Sequence, residues 1–163
     1  MKTLRNTAIL LFIVYTGVGI ANAQTAKKDK KTAKEATIKS NVDAKNYTFI
    51  ATYMLPQRGD GKSLTSEYDF KVTKDSLISF LPYYGRAYFV VPYNGADGGI
   101  KFTSTKFSYV AKDKKKGGWE ITIIPSDVRN LNRLIFNISP DGYASLSVTS
   151  NNRDFITFNG YLK

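Results

Sequence analysis

The sequence contains no cysteine and no histidine. Those absences exclude disulfides, thiolate and imidazole metal centres, and mechanisms built on a cysteine nucleophile or a histidine base. Acidic residues are scarce as well, 13 against 24 lysines and arginines in 163 residues, for a formal charge of +11. A hydrolase would therefore need paired carboxylates, a Ser–Lys dyad or a metal held by oxygen ligands alone. Asp60, Asp97, Asp113 and Asp141 fall in Gly- or Lys-rich turns, where aspartate ordinarily caps backbone amides. No calcium-loop spacing occurs. Ser63, Ser66, Ser76 and Ser79 have lysines nearby but no helical Ser-x-x-Lys pattern. The chain reads as non-enzymatic, with no cofactor and no metal.

Long apolar runs are missing too, except at the N-terminus. Residues 1–23 place Lys2 and Arg5 before the run Ala8–Tyr15 and end in Ala21-Asn22-Ala23, the three-part pattern of a signal peptide. Thr16, Gly17 and Gly19 cut the run short of the 20 or so apolar residues of a spanning helix, so cleavage after Ala23 is expected and no transmembrane segment in the mature chain. Export to the periplasm, the outer membrane or the medium follows. Residues 24–45 are rich in Lys, Thr and Ala, with Ile38 and Val42 as their only large apolar side chains. So little apolar surface does not offset the entropy of ordering, which predicts a flexible leader, helical over Ala33–Lys39 at most. Nucleic acid is a poor partner for an exported chain whose residues 46–163 hold fifteen basic and ten acidic side chains.

What is present from residue 46 onward is period-two alternation. Tyr47, Phe49, Ala51 and Tyr53 share one face and Met54 lies opposite; Tyr68, Phe70 and Val72 alternate with Glu67, Asp69 and Lys71. A short strand is expected over Tyr84–Val91, then a loop over Asn94–Gly99. Ile100–Val110 changes phase, so a bulge is expected near Ser104–Lys106. Pro125-Ser126-Asp127 reads as the cap of one helical turn over Val128–Leu131. Leu134–Ile138, Ala144–Val148 and Ile156–Leu162 complete eight or nine strands. Short connections make neighbours antiparallel, and this many aromatic strands in one domain, 46–163, predict an all-β, antiparallel up-and-down barrel.

Two stretches stand out. In Leu81-Pro82-Tyr83-Tyr84-Gly85-Arg86-Ala87-Tyr88, continuing to Tyr93, four tyrosines surround one guanidinium. Tyr83, Tyr84, Arg86, Tyr88 and Tyr93 are candidates to line a pocket for an anionic or aromatic ligand. The structural reading is favoured over it: Arg86 ties a corner together through loop carbonyls while Gly85 permits the bend. In Thr149–Asp154, Asn151 and Asn152 form a turn, and Arg153 is free to pair with Glu67, Asp69 or Asp75. Trp119, the single tryptophan, is a core anchor.

These segments carry a resemblance. Phe49-x-Ala51, Leu64-Thr65-Ser66-x-Tyr68, Leu81–Tyr88 with Pro92-Tyr93, Gly98–Phe102, Trp119-x-Ile121 and Gly142–Arg153 together resemble a family of exported Bacteroidetes proteins known as domain-of-unknown-function family 4251. The resemblance runs from about Tyr47 to Leu162 and implies a lipocalin-like barrel. It brings no activity, substrate or functional residue. Tyr84 stands where many relatives have Phe. Two functions fit an exported barrel: holding a small hydrophobic or amphipathic molecule at the cell envelope, or acting as an interaction or structural envelope domain with a packed interior and an envelope protein as partner. The empty volume inside separates them.

Overall fold

Side chains that alternate inward and outward along the chain build nine strands: β1 (Tyr47–Pro56), β2 (Lys62–Val72), β3 (Leu77–Leu81), β4 (Ile100–Ser104), β5 (Phe107–Asp113), β6 (Trp119–Pro125), β7 (Leu131–Ile138), β8 (Tyr143–Ser150) and β9 (Ile156–Leu162). The computed structural model describes residues 30–88 and 98–163. The expected signal peptide (1–23), the first residues of the leader and Tyr93 lie outside the described residues, as does most of the Asn94–Gly99 loop.

All ladders are antiparallel, in the order β4-β3-β2-β1-β9-β8-β7-β6-β5. Every neighbour is adjacent in sequence except β1 and β9, the first and last strands. The two ends of that order, β4 and β5, are joined by Thr105 and Lys106 alone. The chain therefore passes from one edge of the sheet to the other, and the sheet curls into a nearly closed, lipocalin-like barrel. Thr105 and Lys106 are both exposed, with Ser104 buried and Phe107 half-buried beside them. That double outward step is the phase change expected there, and it is also where the strand exchanges β3 for β6 as its partner.

A second irregularity was not expected. Both ladders of β1 shift register between Ala51 and Tyr53. After that bulge Met54 turns inward and is fully buried, while Tyr53 is half-exposed, the reverse of simple alternation. Gly160 lies opposite Ala51, where a Cβ would collide with the Ile50 carbonyl oxygen. Glycine is required there for close strand approach.

Inside, Phe49, Phe70, Phe136 and Phe158 are fully buried together with Met54, Leu77, Leu81, Ile121, Ile123 and Leu146. Phe136 meets Phe49 and Phe70 edge-on, each at 5.5 Å between ring centroids, and Tyr47 at 6.0 Å. Trp119 is buried in the same core, as expected of an anchor.

Residues 30–43 form a helix, α1, so this part of the leader is not the flexible segment the composition predicted. Its apolar content is an i, i+4 pair, Ile38 and Val42, and both are buried. Ile38 sits over Gly142 in the β7–β8 turn, and the Val42 carbonyl accepts from the Tyr109 hydroxyl of β5 (3.4 Å). The barrel end supplies an already formed apolar surface, which two side chains suffice to occupy. α1 ends in a left-handed residue, Lys45 (φ 51°), with Asn46 N–H donating to the Asn41 carbonyl and Lys45 N–H to that of Val42.

A smaller expectation also fails. Residues 126–130 form a bend and a single turn at 129–130 but no helix, and the Asp127 carboxylate bonds across the fold to residues 104–106. Over the described part of the expected strand Tyr84–Val91, only a single antiparallel bridge, Ala87 to Arg153, is present, and residues 89–91 lie outside the described residues.

Candidate functional site

The barrel has two unlike ends. One carries α1 and tight turns. At the other, the segments 82–88, 98–99, 126–130 and 151–155 meet, and the two stretches singled out in the sequence come together.

The Ala87–Arg153 bridge is made by Tyr88 N–H donating to the Asn152 carbonyl (2.9 Å) and Asp154 N–H to that of Arg86 (3.0 Å). Tyr83 is half-buried beneath it and donates its hydroxyl to the Arg86 (2.9 Å) and Asp154 (3.1 Å) carbonyls. Burial pushes the Tyr83 phenol up from its ordinary pKa, with the Asp154 carboxylate adding to the effect. The guanidinium over the Tyr83 ring belongs to Arg153, at 4.9 Å from the centroid. Arg153 Nη1 donates to the carbonyls of Gly98 (2.6 Å) and Gly99 (3.2 Å).

The corner-tying cation is thus Arg153, and the role assigned to Arg86 is corrected. Arg86 contributes its carbonyl, and its side chain is exposed. Arg153 likewise pairs with none of Glu67, Asp69 or Asp75. Gly85 is needed for a different reason from a bend: the Tyr83 hydroxyl passes 2.6 Å from where a Cβ would stand.

Of the other tyrosines of this stretch, the two within the described residues face outward. Tyr84 is 52% exposed with the Lys62 ammonium 4.7 Å above its ring, and Tyr88 is 58% exposed. The Tyr88 hydroxyl donates to Asp154 Oδ1, which raises the Tyr88 pKa. Asp154 itself is buried, and its Oδ2 has no hydrogen-bond partner among the described residues. Asn151 accepts from the Asn132 amide (2.6 Å) and donates its N–H to the Asn130 carbonyl (2.9 Å), so this turn also holds the β6–β7 loop.

That loop fastens the strand bend as well. Asp127 accepts from Ser104 Oγ (2.5 Å), Thr105 N–H (2.8 Å) and Lys106 N–H (3.1 Å). Ser126 donates N–H (2.8 Å) and hydroxyl (3.0 Å) to the Lys106 carbonyl. The Ser104 hydroxyl first, and the Thr105 amide after it, lower the Asp127 pKa from 3.8 to about 2.

Between β4 and the 128–131 segment lies an open cleft of about 200 Å³. Ile100, Phe102, Val128 and Leu131 supply its apolar lining; Lys101, Arg129 and Arg153 stand around it with Ser150, Asn130 and Asn152. Sequence reasoning gave no role to Lys101, inside the Gly98–Phe102 segment, or to Arg129, and placed Asp127 on the wrong partner. Asp154 was visible only as the neighbour of Arg153. Two other clefts lie on the outer surface, one against Tyr143 and Tyr161, the other against Thr48, Ile50 and Asp69. Among the described residues no group of His, Cys, Asp and Glu is placed to hold a metal ion, and no helix is long and apolar enough to cross a membrane.

Comparison with known proteins places the fold. The family model described as "Domain of unknown function (DUF4251)" matches residues 29–162, so the match includes α1 as well as the barrel. No curated protein matches the chain. Among solved structures, the chain is similar to the crystal structure of a DUF4251 family protein from Bacteroides eggerthii DSM 20697, at 15% identity and a TM-score of 0.57. That similarity covers 80% of this chain and 87% of the other. The chain belongs to the DUF4251 family.

Proposed function

With that membership as the premise, we propose that the protein is an exported, non-catalytic recognition domain that binds at the outer surface of its loop end, the interior serving only as core. Aromatic packing inside the barrel is the observation that carries this reading. Four phenylalanines, each with no exposed surface, interlock across the barrel with Met54, Leu134 and Leu146. A barrel that carries a hydrophobic molecule keeps a cavity of several hundred Å³.

Aromatic surface is displayed outside, on Tyr143 and Tyr161 of β8 and β9 and, beside fixed cations, at the loop end. Tyr84, Tyr88 and Phe155 are each at least 40% exposed there, beside Leu55 and the cations Arg153 and Lys62. Tyrosine and arginine supply large contact area at low conformational cost and dominate recognition surfaces. Non-catalytic action agrees with a chain that has no histidine or cysteine and whose fastened carboxylates, Asp127 and Asp154, serve amide and hydroxyl donors.

Native mass spectrometry of the protein from its own host's envelope, with an organic extract run alongside, tests both parts. The expected species begins at Gln24 and carries no extractable hydrophobic mass. A stoichiometric lipid-like adduct released by solvent would overturn the filled-interior reading, and an unprocessed N-terminus would overturn export.

A further inference from the structure

Two arginines at the loop end have no acidic partner among the described residues. Arg129 and Arg153 make no ion pair among the described residues, yet both border the cleft between β4 and the 128–131 segment. Among the described residues no carboxylate lines that cleft. The nearest in sequence are committed elsewhere: Asp127 to Ser104, Thr105 and Lys106, and Asp154 to the buried site under Tyr88.

Arg153 is also held in place. One guanidinium nitrogen, Nη1, is anchored on the Gly98 and Gly99 carbonyls while the plane rests on Tyr83. A guanidinium has five N–H donors in a fixed fork, so the edge that has no partner among the described residues is held in a fixed orientation, with little side-chain entropy left to lose on binding. Arg129 is exposed and joins the same rim. A concave site bordered by charge of one sign focuses the field onto whatever enters. The lining is not purely polar, since Ile100, Phe102, Val128 and Leu131 offer an apolar wall, and Asn130 and Asn152 add neutral donors.

We propose that this cleft binds a small organic oxyanion, a carboxylate held by Arg153 and Arg129 and joined to an apolar body that lies against Ile100, Phe102, Val128 and Leu131. The proposal rests on the reading that recognition takes place outside the barrel, and it gives that recognition its chemistry. A volume of about 200 Å³ admits a single ring or a short branched chain and excludes a long acyl chain.

The test is a titration of the 15N-labelled protein followed by NMR, with benzoate as probe, benzamide as its neutral isostere and inorganic phosphate as charge without an apolar body. Benzoate is expected to give saturable shifts at the amides of Lys101, Asn130, Asn152 and Arg153. Benzamide should bind about tenfold or more weakly, and phosphate more weakly than benzoate. Arg153→Gln should weaken benzoate about tenfold, and Arg129→Gln, at an exposed position that leaves the fold intact, roughly threefold. Absence of saturable shifts at about 50 mM benzoate, a range that captures even very weak binding, would overturn the proposal. So would benzamide binding as tightly as benzoate, or benzoate affinity unchanged in both variants. Shifts confined to core residues such as Leu146 and Phe158 would overturn the surface reading as well; no shifts anywhere would overturn only the oxyanion assignment.

Discussion

The two ends of this barrel are closed by different physics. At one end α1 places Ile38 and Val42 on a ready-made apolar surface, with the Tyr47 and Tyr109 hydroxyls 3.4 Å apart beneath it. Burial pushes both phenols up from their ordinary pKa, Tyr47 the further. At the other end almost every fastening is a polar group on a backbone carbonyl or amide: Tyr83 on residues 86 and 154, Arg153 on 98 and 99, Asp127 on 105 and 106. Burial of apolar area is non-directional, so the first end needs only a matching shape. Hydrogen bonds to carbonyls fix direction, so the second end holds irregular segments in place without covering them. Donors and aromatic faces thereby stay exposed, which is why we propose recognition at that end.

The largest effect that can break this contrast comes from the apolar end. Replacing Ile38 and Val42 together by serine removes both buried side chains of α1 and should cost about 3–4 kcal/mol, read as a lower urea midpoint. Amide signals of residues 83–88 and 151–154 should stay where they are at low denaturant. Shifts across that region as large as those near Gly142 would show that the ends are coupled and the contrast is wrong.

Next in size is the guanidinium. Arg153→Ala removes two bonds to carbonyls and a cation held over a tyrosine ring, and should cost about 2 kcal/mol. Loss of protection at the 98–99 and 83–88 amides in hydrogen exchange, with the α1 end unchanged, is the expected pattern. A uniform loss would make Arg153 part of the global core instead.

The strand bend offers a pH-dependent version of the same test. Asp127 has a folded pKa of about 2 against 3.8 ordinarily, so the stabilisation it gives is complete above about pH 4 and is lost as pH falls through 2. Carboxyl chemical shifts should titrate at that low midpoint, and Ser104→Ala, which removes the first of its causes, should raise it. An Asp127 midpoint near 4 in the unaltered protein would show that the Asp127 fastening is absent in solution.

How much of this was legible in the chain depends on whether the relevant contact is local. Tyr68, Phe70 and Val72 against Glu67, Asp69 and Lys71 read as a strand because a pleat repeats every two residues, and nine such segments with short connections leave a barrel as the natural closure. α1 was underestimated because its stability lies in a surface made by β5 and the β7–β8 turn, far away in sequence. Met54 was assigned to the wrong face because the Thr52 bulge is set by the close approach of Gly160 on β9. Asp127 looked like a helix cap because a cap and a strand-bend fastening use the same bonds, a carboxylate accepting backbone amides. Arg153 was the hardest case. It and Arg86 each sit in a polar turn next to residues able to stack or bond, and only the pairing of 86–88 with 152–154 decides which guanidinium reaches the carbonyls.

That decision gives the smallest predicted effect and the sharpest one. A sequence reading that makes Arg86 the corner tie expects Arg86→Ala to lower the melting temperature. In the structure Arg86 serves through its carbonyl, which alanine retains, and its side chain stands in solvent. The substitution should therefore change stability by less than about 0.5 kcal/mol, against about 2 for Arg153→Ala. The pair of variants has the same charge change and sits on the two sides of one bridge, so net charge cancels from the comparison. Equal losses would mean that both guanidiniums hold the corner. A larger loss at Arg86 would reverse the assignment and place Tyr83 over the wrong partner. The expected ratio, with Arg153 dominant, ties the polar closure of this end to one fixed cation, the group best placed to receive an anion from outside.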